Sequence, residues 1–446
     1  MIEVQKDSNP YLAQFERVEK EAREHGPSWL APVRKAAISR FIEMGFPTVR
    51  DEEWRFTNVA PIVNTLFAPA GAARAEVDRK ATAPFRFDTA AAELVVVNGR
   101  YAPELSTLGS LPRGVTVESL ATALRERADL LQPHLSRYAD YHQHAFTALN
   151  TAMIEDGLFV HVPRGTVVEG AIHLLFVSTG GDQPIVTHPR TLILADANSQ
   201  VTVVESYVSI RDTQYFTNAV TELVAGDNAV VDHVKVERES EQAFHIATLH
   251  LQMHRNSNVS SHAVLLGGAL VRNDICAMLD GEGCTCTLNG LYMIGGTQLV
   301  DNHLRIEHIK PHCDSREFFK GILTGSAKGI FSGRIVVHKD AQKTDAKQTN
   351  MSLLLSEEAR VESRPQLEIL ANDVKCTHGA TVGQISDEAI FYLRSRGIDK
   401  SAARSLLVFT FANESLERIR IQPLRTKLKQ LLLERLPQGR LLQDAI

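Results

Sequence analysis

Cys376 and His378 have the residue types and spacing that most directly suggest chemistry, and they stand in the segment DVKCTHGATVG (373–383). A strand would place both side chains on one face, because alternate residues of a strand point the same way. A thiolate and an imidazole are good ligands for iron or zinc, and a histidine can also activate a cysteine nucleophile. Two ligands are too few for a closed metal site. From the residues alone, three interpretations stay open: the pair is half of a metal site, it contains a reactive thiol, or both residues pack in the core.

Four further potential ligands share the segment NHLRIEHIKPHCDS: His303, His308, His312 and Cys313. The last two histidines have the i, i+4 spacing that shares a helix face, but Pro311 argues against a helix there. Isolated histidines in turns are commoner than metal ligands, so ligation stays the less favoured alternative. Cys284 and Cys286 would share a strand face in an apolar segment, where buried cysteine behaves as a small hydrophobe. We expect both in the core.

Sequence motifs of several enzyme classes are missing. There is no G-x-x-x-x-G-K-[ST] phosphate loop, so we expect this chain to bind no nucleotide. Neither a G-x-G-x-x-G fingerprint nor a G-x-S-x-G elbow occurs in its structural context. No C-x-x-C is present, which argues against a zinc ribbon and a thioredoxin-type redox pair. These absences favour a protein that is not an enzyme.

One enzymatic alternative is a β-helix enzyme acting on polysaccharides. Such enzymes hold two carboxylates for general acid–base catalysis in a long groove. Asp301 and Glu307 are candidates, but the sequence shows no paired arrangement. The export signal that is common where polysaccharide is the substrate is not recognisable either.

The composition argues against several classes of protein. The 446 residues carry a formal net charge of -5, and 6% are aromatic, so neither a basic stripe nor stacking platforms for nucleic acid are indicated. No apolar run reaches the roughly 18 to 20 residues that span a bilayer. The acidic start, MIEVQKDSNPYLAQFERVEKEAREH, lacks the apolar core of a signal peptide. We expect a cytoplasmic protein with reduced thiols.

Three regions differ in texture. Residues 1–150 read as mostly helical, with Ser8 and Pro10 typical of a helix start. Residues 151–385 consist of short Val-, Ile- and Thr-rich runs between Gly, Asn and Asp clusters, which predicts strands. Residues 386–446 are helical again, with Ser386 as a cap, Gly397 as a stop and Pro423 opening a leucine-rich helix. That leucine face either packs internally or forms a docking surface.

A degenerate internal repeat favours a β-solenoid over a β-sandwich in the middle region. A polar turn followed by alternating apolar residues recurs six times, and we take as equivalent the positions Val201, Val230, Val259, Thr285, Ile330 and Val361. A period near 30 containing only strands is typical of stacked coils, whereas a sandwich usually places turns every 8–12 residues. The helical regions would cap the two ends.

The run from PHCDSREFFKG to NDVKCTHGATVG (311–383), continuing into DEAIFYLRSRGI, resembles the SufB/SufD family of the SUF iron–sulfur cluster assembly machinery. The segment EEWRFTN (52–58) resembles the SufD branch of that family, and the likeness extends over roughly residues 28 to 420. It implies a mainly β fold with a right-handed parallel β-helix core between helical ends. It also implies a non-catalytic scaffold that pairs with a SufB-like subunit, with a homodimer as another assembly.

The resemblance assigns roles to particular residues. His378 matches the histidine of the C-[ST]-H-G-A-T motif, which faces a SufB cysteine where a transient iron–sulfur cluster forms, and Cys376 is its companion in that motif. A SufC-like ATPase would dock on helices 387–396 and 400–412, with four contacts: Phe391, Tyr392, Arg394 and Arg396. No nucleic acid or membrane partner is implied. The resemblance gives no role to Cys276, Cys284, Cys286 and Cys313.

Overall fold

A computed structural model describes residues 10–70, 77–87, 90–181 and 183–439. Ser8, the predicted cap of the first helix, lies outside these residues. The helices are α1 (Pro10–His25), α2 (Leu30–Met44), α3 (Ala60–Val63), α4 (Arg79–Thr82), α5 (Leu120–Glu126), α6 (Ala128–Leu131), α7 (Ala145–Ala152), α8 (Asp387–Ser395), α9 (Lys400–Leu416) and α10 (Gln422–Glu434). No helix among the described residues is long and apolar enough to cross a membrane.

The first strands in chain order are β1 (Ala68–Pro69), β2 (Ala90–Val97), β3 (Arg100–Tyr101), β4 (Thr107–Leu108), β5 (Thr116–Ser119), β6 (Gly157–Val162), β7 (Val167–Ser178), β8 (Ile185–Thr187), β9 (Arg190–Ala195), β10 (Gln200–Ser209) and β11 (Tyr215–Ala225). They are followed by β12 (Val230–Arg238), β13 (Phe244–Met253), β14 (Asn258–Leu265), β15 (Leu270–Leu279), β16 (Thr285–Ile294), β17 (Leu299–His308), β18 (Asp314–Leu323), β19 (Lys328–Val337), β20 (Asp345–Leu354), β21 (Arg360–Ile369) and β22 (Lys375–Gly383).

The strands from β9 onward alternate between two parallel sheets. The first sheet, here sheet A, runs β21-β19-β17-β15-β13-β11-β9, and the second, sheet B, runs β22-β20-β18-β16-β14-β12-β10. Each coil therefore gives one strand to each sheet, and each strand pairs with the equivalent strand of the next coil. Side chains that bond between neighbouring coils are 28 residues apart at His233–Ser261 and 31 apart at Glu317–Gln348. The predicted parallel solenoid with a period near 30 is confirmed.

The register corrects the equivalences taken from the sequence repeat. Val201 pairs with Val231 rather than Val230, and Val259 pairs with Cys286 rather than Thr285. The position Ile330 belongs to sheet A, whereas the four positions before it belong to sheet B. The positions taken as equivalent moved from one sheet to the other because both strands of a coil follow a polar turn and alternate apolar with polar residues. The local sequence pattern therefore does not distinguish the two sheets.

Each sheet has an inner face toward the other sheet and an outer face that helices partly cover. Helices α9 and α10 pack against the outer face of sheet B, where Phe409 and Leu428 join one cluster with Val204 and Val234. Helices α1, α2 and α7 pack against the outer face of sheet A, where aromatic residues such as Phe216 are buried. The leucine face of α10, with Leu424, Leu428 and Leu432 buried, therefore packs internally rather than forming a free docking surface.

In most coils, the turn that leads from sheet A to sheet B contains a residue with a left-handed backbone. Six successive coils supply these residues: Asn198, Asn228, Asn256, Gly283, His312 and Lys343. The Asn228 side chain donates to Asn198 at 3.0 Å, and Asn256 donates to Asn228 at 3.2 Å, so the first three form a ladder along the solenoid. Asparagine and glycine tolerate this conformation best. His312 is therefore one of these turn residues.

The carboxy-terminal helix α8 begins and ends at the residues predicted from the sequence. The Ser386 side chain accepts a hydrogen bond from the Ala389 N–H at 3.2 Å and caps α8, as predicted. Gly397 has a φ of 86° after that helix, so it serves as the predicted stop. The first 150 residues also contribute strands, since β2 pairs in parallel with β7 and extends sheet B. The domain boundaries at 150 and 385 stay predictions.

Candidate functional site

The last strand of sheet B carries both residues of the thiol–imidazole pair. β22 pairs with β20 on one side and is the terminal strand of its sheet, so its other edge has no strand beside it among the described residues. Cys376 is in register with Ala346, and His378 is in register with Gln348. These positions belong to the inner face of sheet B. The pair therefore lies at the open end of the solenoid, where the interior meets the surface. There it is accessible to another chain.

Cys376 is partly buried and His378 is exposed. The thiol packs beside an apolar cluster that includes Ile335, Val337 and Ala346, and burial raises the pKa of the Cys376 thiol. A raised pKa disfavours the thiolate that a nucleophile needs. The two Cα atoms are also about 6.6 Å apart on an extended strand. The arrangement therefore fits an exposed imidazole with a neutral thiol behind it better than a nucleophile with its base.

A metal site within this chain alone is not formed by the described residues. No group of three or more His, Cys, Asp or Glu side chains among them is placed to hold a metal ion. His378 and Cys376 would thus supply part of a ligand set, and the remainder would have to come from a second molecule.

The surface around the pair is open. Strand β22 is mostly exposed and β21 is half-buried to exposed, and three apolar side chains lie on or beside them: Ile369, Leu370 and Val382. Val382 is 48% exposed. Unpaired edge strands with exposed apolar side chains are liable to pair with another chain. This end is therefore the best candidate for a protein interface.

Residues 52–58, EEWRFTN, form an outer strap across sheet A. The Thr57 hydroxyl donates to Asp301 in β17 at 2.6 Å, Lys328 in β19 donates to the carbonyl oxygen of Phe56 at 2.9 Å, and Glu52 pairs with Arg364 in β21 at 3.6 Å. The strap therefore connects the helical amino-terminal region to the last coil of its sheet.

The four residues implicated in ATPase docking lie on or just after α8. Phe391 is 72% exposed and Tyr392 is 55% exposed, while Ile390 on the same helix is buried. Arg394 and Arg396 are exposed, and the Arg396 guanidinium lies 4.7 Å from the centre of the Tyr392 ring. An exposed aromatic pair beside cations is typical of a protein-binding surface.

The other candidate ligands are buried or paired, except His312, which is exposed. Cys284 and Cys286 are fully buried, which confirms the core prediction, and Cys313 is buried beside Cys284. His303 pairs with Glu53 of the strap at 2.8 Å, and His308 bonds to Ser315 at 2.9 Å. The segment 302–315 therefore does not converge on one point.

The carboxylates considered for polysaccharide chemistry are tied into ion pairs. Asp301 is buried against Arg272 at 2.8 Å. Glu307 is buried and contacts both Arg305 and His338. Because both carboxylates lie on the outer face of β17 and already have basic partners, they do not form the free pair that glycoside hydrolysis requires.

A buried polar cluster inside the solenoid was missed from the sequence. Lys235 Nζ contacts the His245 ring at 2.8 Å, and His245 contacts Glu239 at 2.6 Å. Burial lowers the pKa of Lys235 to about 8, whereas burial raises the pKa of Glu239 to about 7. The signal was available in VVDHVKVER, where alternate residues after Val231 are charged or histidine although they occupy the inner face of β12.

Comparisons with known proteins show which family the chain matches. The core domain of SufBD proteins of the SUF system for FeS cluster assembly matches residues 176–411, and the SufBD N-terminal region matches residues 5–174. A SufBD family iron–sulfur cluster assembly protein of Synechocystis is 34% identical over 90% of this chain and 90% of its own length. The iron–sulfur cluster assembly protein SufD of Escherichia coli is 32% identical over 92% and 94%, and that of Bacillus subtilis is 26% identical over 94% and 95%.

Proposed function

This chain belongs to the SufBD family of iron–sulfur cluster assembly proteins, and we propose that it is the SufD-type scaffold subunit of such an assembly complex. The scaffold would catalyse no reaction and bind no nucleotide itself. It would hold a nascent cluster as cargo between itself and a SufB-type subunit. A cytoplasmic location stays a prediction from the sequence.

The observation that carries the proposal is the exposed imidazole of His378 on the last strand, beside an edge that no other described strand covers. A partner pairing along β22 and β21 would satisfy their free backbone groups and cover Val382. The same pairing would bring a thiolate of the partner toward His378. Cys376 lies close enough to serve as a second, weaker contact.

The SufC-type ATPase would dock on α8 through Phe391 and Tyr392. These rings are the largest exposed apolar side chains of the carboxy-terminal helices, and aromatic anchors commonly dominate the free energy of binding at interfaces. Helices α9 and α10 each bury one face against sheet B, and α9 also contacts α8, so this packing supports α8. ATP hydrolysis would then act on the complex through α8.

The experiment is reconstitution of the complex from this chain, a SufB-type and a SufC-type subunit, followed by anaerobic cluster formation monitored by visible absorption. His378→Ala should leave the complex intact by size-exclusion chromatography and lower the cluster yield several-fold. His142→Ala is the matched control, because His142 is an exposed histidine of the amino-terminal region. Normal cluster yield with His378→Ala would remove the imidazole from the site.

A further inference from the structure

A column of inner-face side chains lies directly beneath His378. His378 pairs with Gln348 in β20, and the neighbour of Gln348 in β18 is Glu317. Paired positions of parallel strands point the same way and lie about 5 Å apart. The three side chains therefore stack from the open end of the solenoid toward its interior. Gln348 and Glu317 are buried, whereas His378 is exposed.

Glu317 sets the orientation of the Gln348 amide. Gln348 Nε2 donates to Glu317 Oε2 at 2.7 Å. Since the carboxyl oxygen only accepts in this bond, the bond is compatible with either protonation state of Glu317. An amide has its donor and its acceptor at opposite sides of one carbon. With Nε2 turned toward Glu317, the acceptor Oε1 is the atom left for the next coil.

That acceptor has no partner among the described side chains and backbone groups. Gln348 Oε1 is buried and makes no hydrogen bond there. A buried amide oxygen without a donor costs free energy, and the residue stacked next along the column is His378, whose ring carries an N–H. Metal-binding histidines generally donate their second ring N–H to an acceptor of this kind, which fixes tautomer and orientation.

We propose that Gln348 is a positioning residue for His378: its Oε1 accepts the N–H of the imidazole, so that the other ring nitrogen presents its lone pair to the surface. Glu317 acts one step further away by holding the amide in the required orientation. The use of that lone pair for a cluster rests on the proposed function. Gln348 Oε1 has no donor in the described part of this structure, so the imidazole would turn inward to make the bond, and the two groups that form it both belong to this chain.

The protonation of Glu317 is compatible with this role. Burial raises the pKa of Glu317 to about 7, although the hydrogen bond from Gln348 lowers it. A carboxyl that is largely neutral below that pH places no uncompensated charge in the core. The column can therefore be polar without a buried ion at its base.

Asn350 provides a matched control. It is a buried, inner-face amide on the same strand, and it donates to Ser363 at 2.8 Å. Its neighbour in β22 is Ala380 rather than His378. Asn350→Leu and Gln348→Leu thus remove the same kind of group from neighbouring columns, and only the second lies under the imidazole.

The direct test is NMR of the full chain labelled with 15N-histidine, at about pH 8.5, where imidazole is neutral. The ring signals of His378 are identified as those lost in His378→Gln. We expect one dominant tautomer in the wild type and with Asn350→Leu, and a mixture with Gln348→Leu. A tautomer mixture in the wild type, or no change with Gln348→Leu, overturns the proposal. The wild-type spectrum decides even if a variant fails to fold.

Cluster formation separates this inference from the function on which it rests. With the reconstituted complex, Gln348→Leu should lower the cluster yield several-fold and Asn350→Leu should leave it unchanged. An altered tautomer together with normal cluster yield in both Gln348→Leu and His378→Ala would reject the cluster site and keep the hydrogen bond. A reduced yield with His378→Ala and an unchanged tautomer with Gln348→Leu would keep the site and reject the positioning role.

Discussion

The guanidinium carbon of Arg272 lies 3.8 Å from the centre of the Trp54 ring. Arg272 also donates to the carbonyl oxygen of Glu53 at 2.7 Å and pairs with Asp301 at 2.8 Å. The strap therefore closes over a buried ion pair on the outer face of sheet A, with the indole as its lid. The segment EEWRFTN, known from the sequence only for its resemblance, thus attaches the amino-terminal region to the solenoid.

Trp54→Ala should destabilise the fold by about 2 to 4 kcal/mol, because it removes a half-buried indole and its cation–π contact with Arg272. Thermal unfolding measured by circular dichroism would show this as a lower Tm. Arg55→Ala in the same strap should have little effect, since Arg55 is exposed. Equal losses in the two variants would contradict the lid role of the indole.

Glu222→Leu should cost about 3 to 5 kcal/mol, since it leaves the buried Arg190 guanidinium without its counter-ion. Glu222 contacts Arg190 at 2.6 Å and accepts backbone N–H bonds from Ser136, Tyr138 and Ala139. Denaturant unfolding measures the loss. The double variant Arg190→Met with Glu222→Leu should recover part of it, and an additive double variant would show that the two residues are not coupled.

The same carboxylate should make the fold sensitive to acid. Burial alone would raise the pKa of Glu222, but Arg190 and the backbone donors bring it below the ordinary value. A depressed folded-state pKa gives stability that is present above the unfolded value, about 4.3, and is lost as the pH falls through the folded one. Unfolding free energies of the wild type should therefore fall more steeply toward low pH than those of the double variant.

Glu317 should act in the opposite sense. Its folded pKa of about 7 lies above the unfolded value, so its contribution is fully present below about pH 4.3 and is lost as the pH rises through 7. The difference in unfolding free energy between the wild type and Glu317→Gln should therefore shift by up to about 3 kcal/mol between pH 4.5 and pH 8. Glu357→Gln, at an exposed position, should show no such shift.

Phe391→Ala combined with Tyr392→Ala should weaken binding of the SufC-type ATPase by about 100-fold or more, because both rings are exposed anchors on α8. Titration calorimetry measures the affinity. Gln430→Ala, on the exposed side of α10, should leave it unchanged. Unaltered affinity of the double variant would place the docking surface elsewhere. Point variants are preferable to deletion after residue 385, since α9 and α10 cover the apolar outer face of sheet B.

Much of the fold could be predicted from the sequence because its signals are local. Alternating apolar residues and polar turns predicted a solenoid, since each coil repeats the same short-range pattern. The start of α8 followed from Ser386, whose side chain bonds within its own first turn. The buried state of Cys284 and Cys286 followed from their apolar segment.

The rest depended on which coil lies beside which. Thr57 donates a hydrogen bond to Asp301, which is 244 residues away in the sequence, and no sequence pattern near either residue predicts that contact. The stacking of His378 on Gln348 depends on the register between neighbouring coils. The sequence repeat did not predict that register, because its equivalent positions were wrong by one residue in sheet B and changed to sheet A at Ile330. The sequence by itself determined that a thiol and an imidazole share a strand face. Only the tertiary structure decided that this face is the inner one, stacked on Gln348 and Glu317, because a side chain's neighbours there belong to other coils.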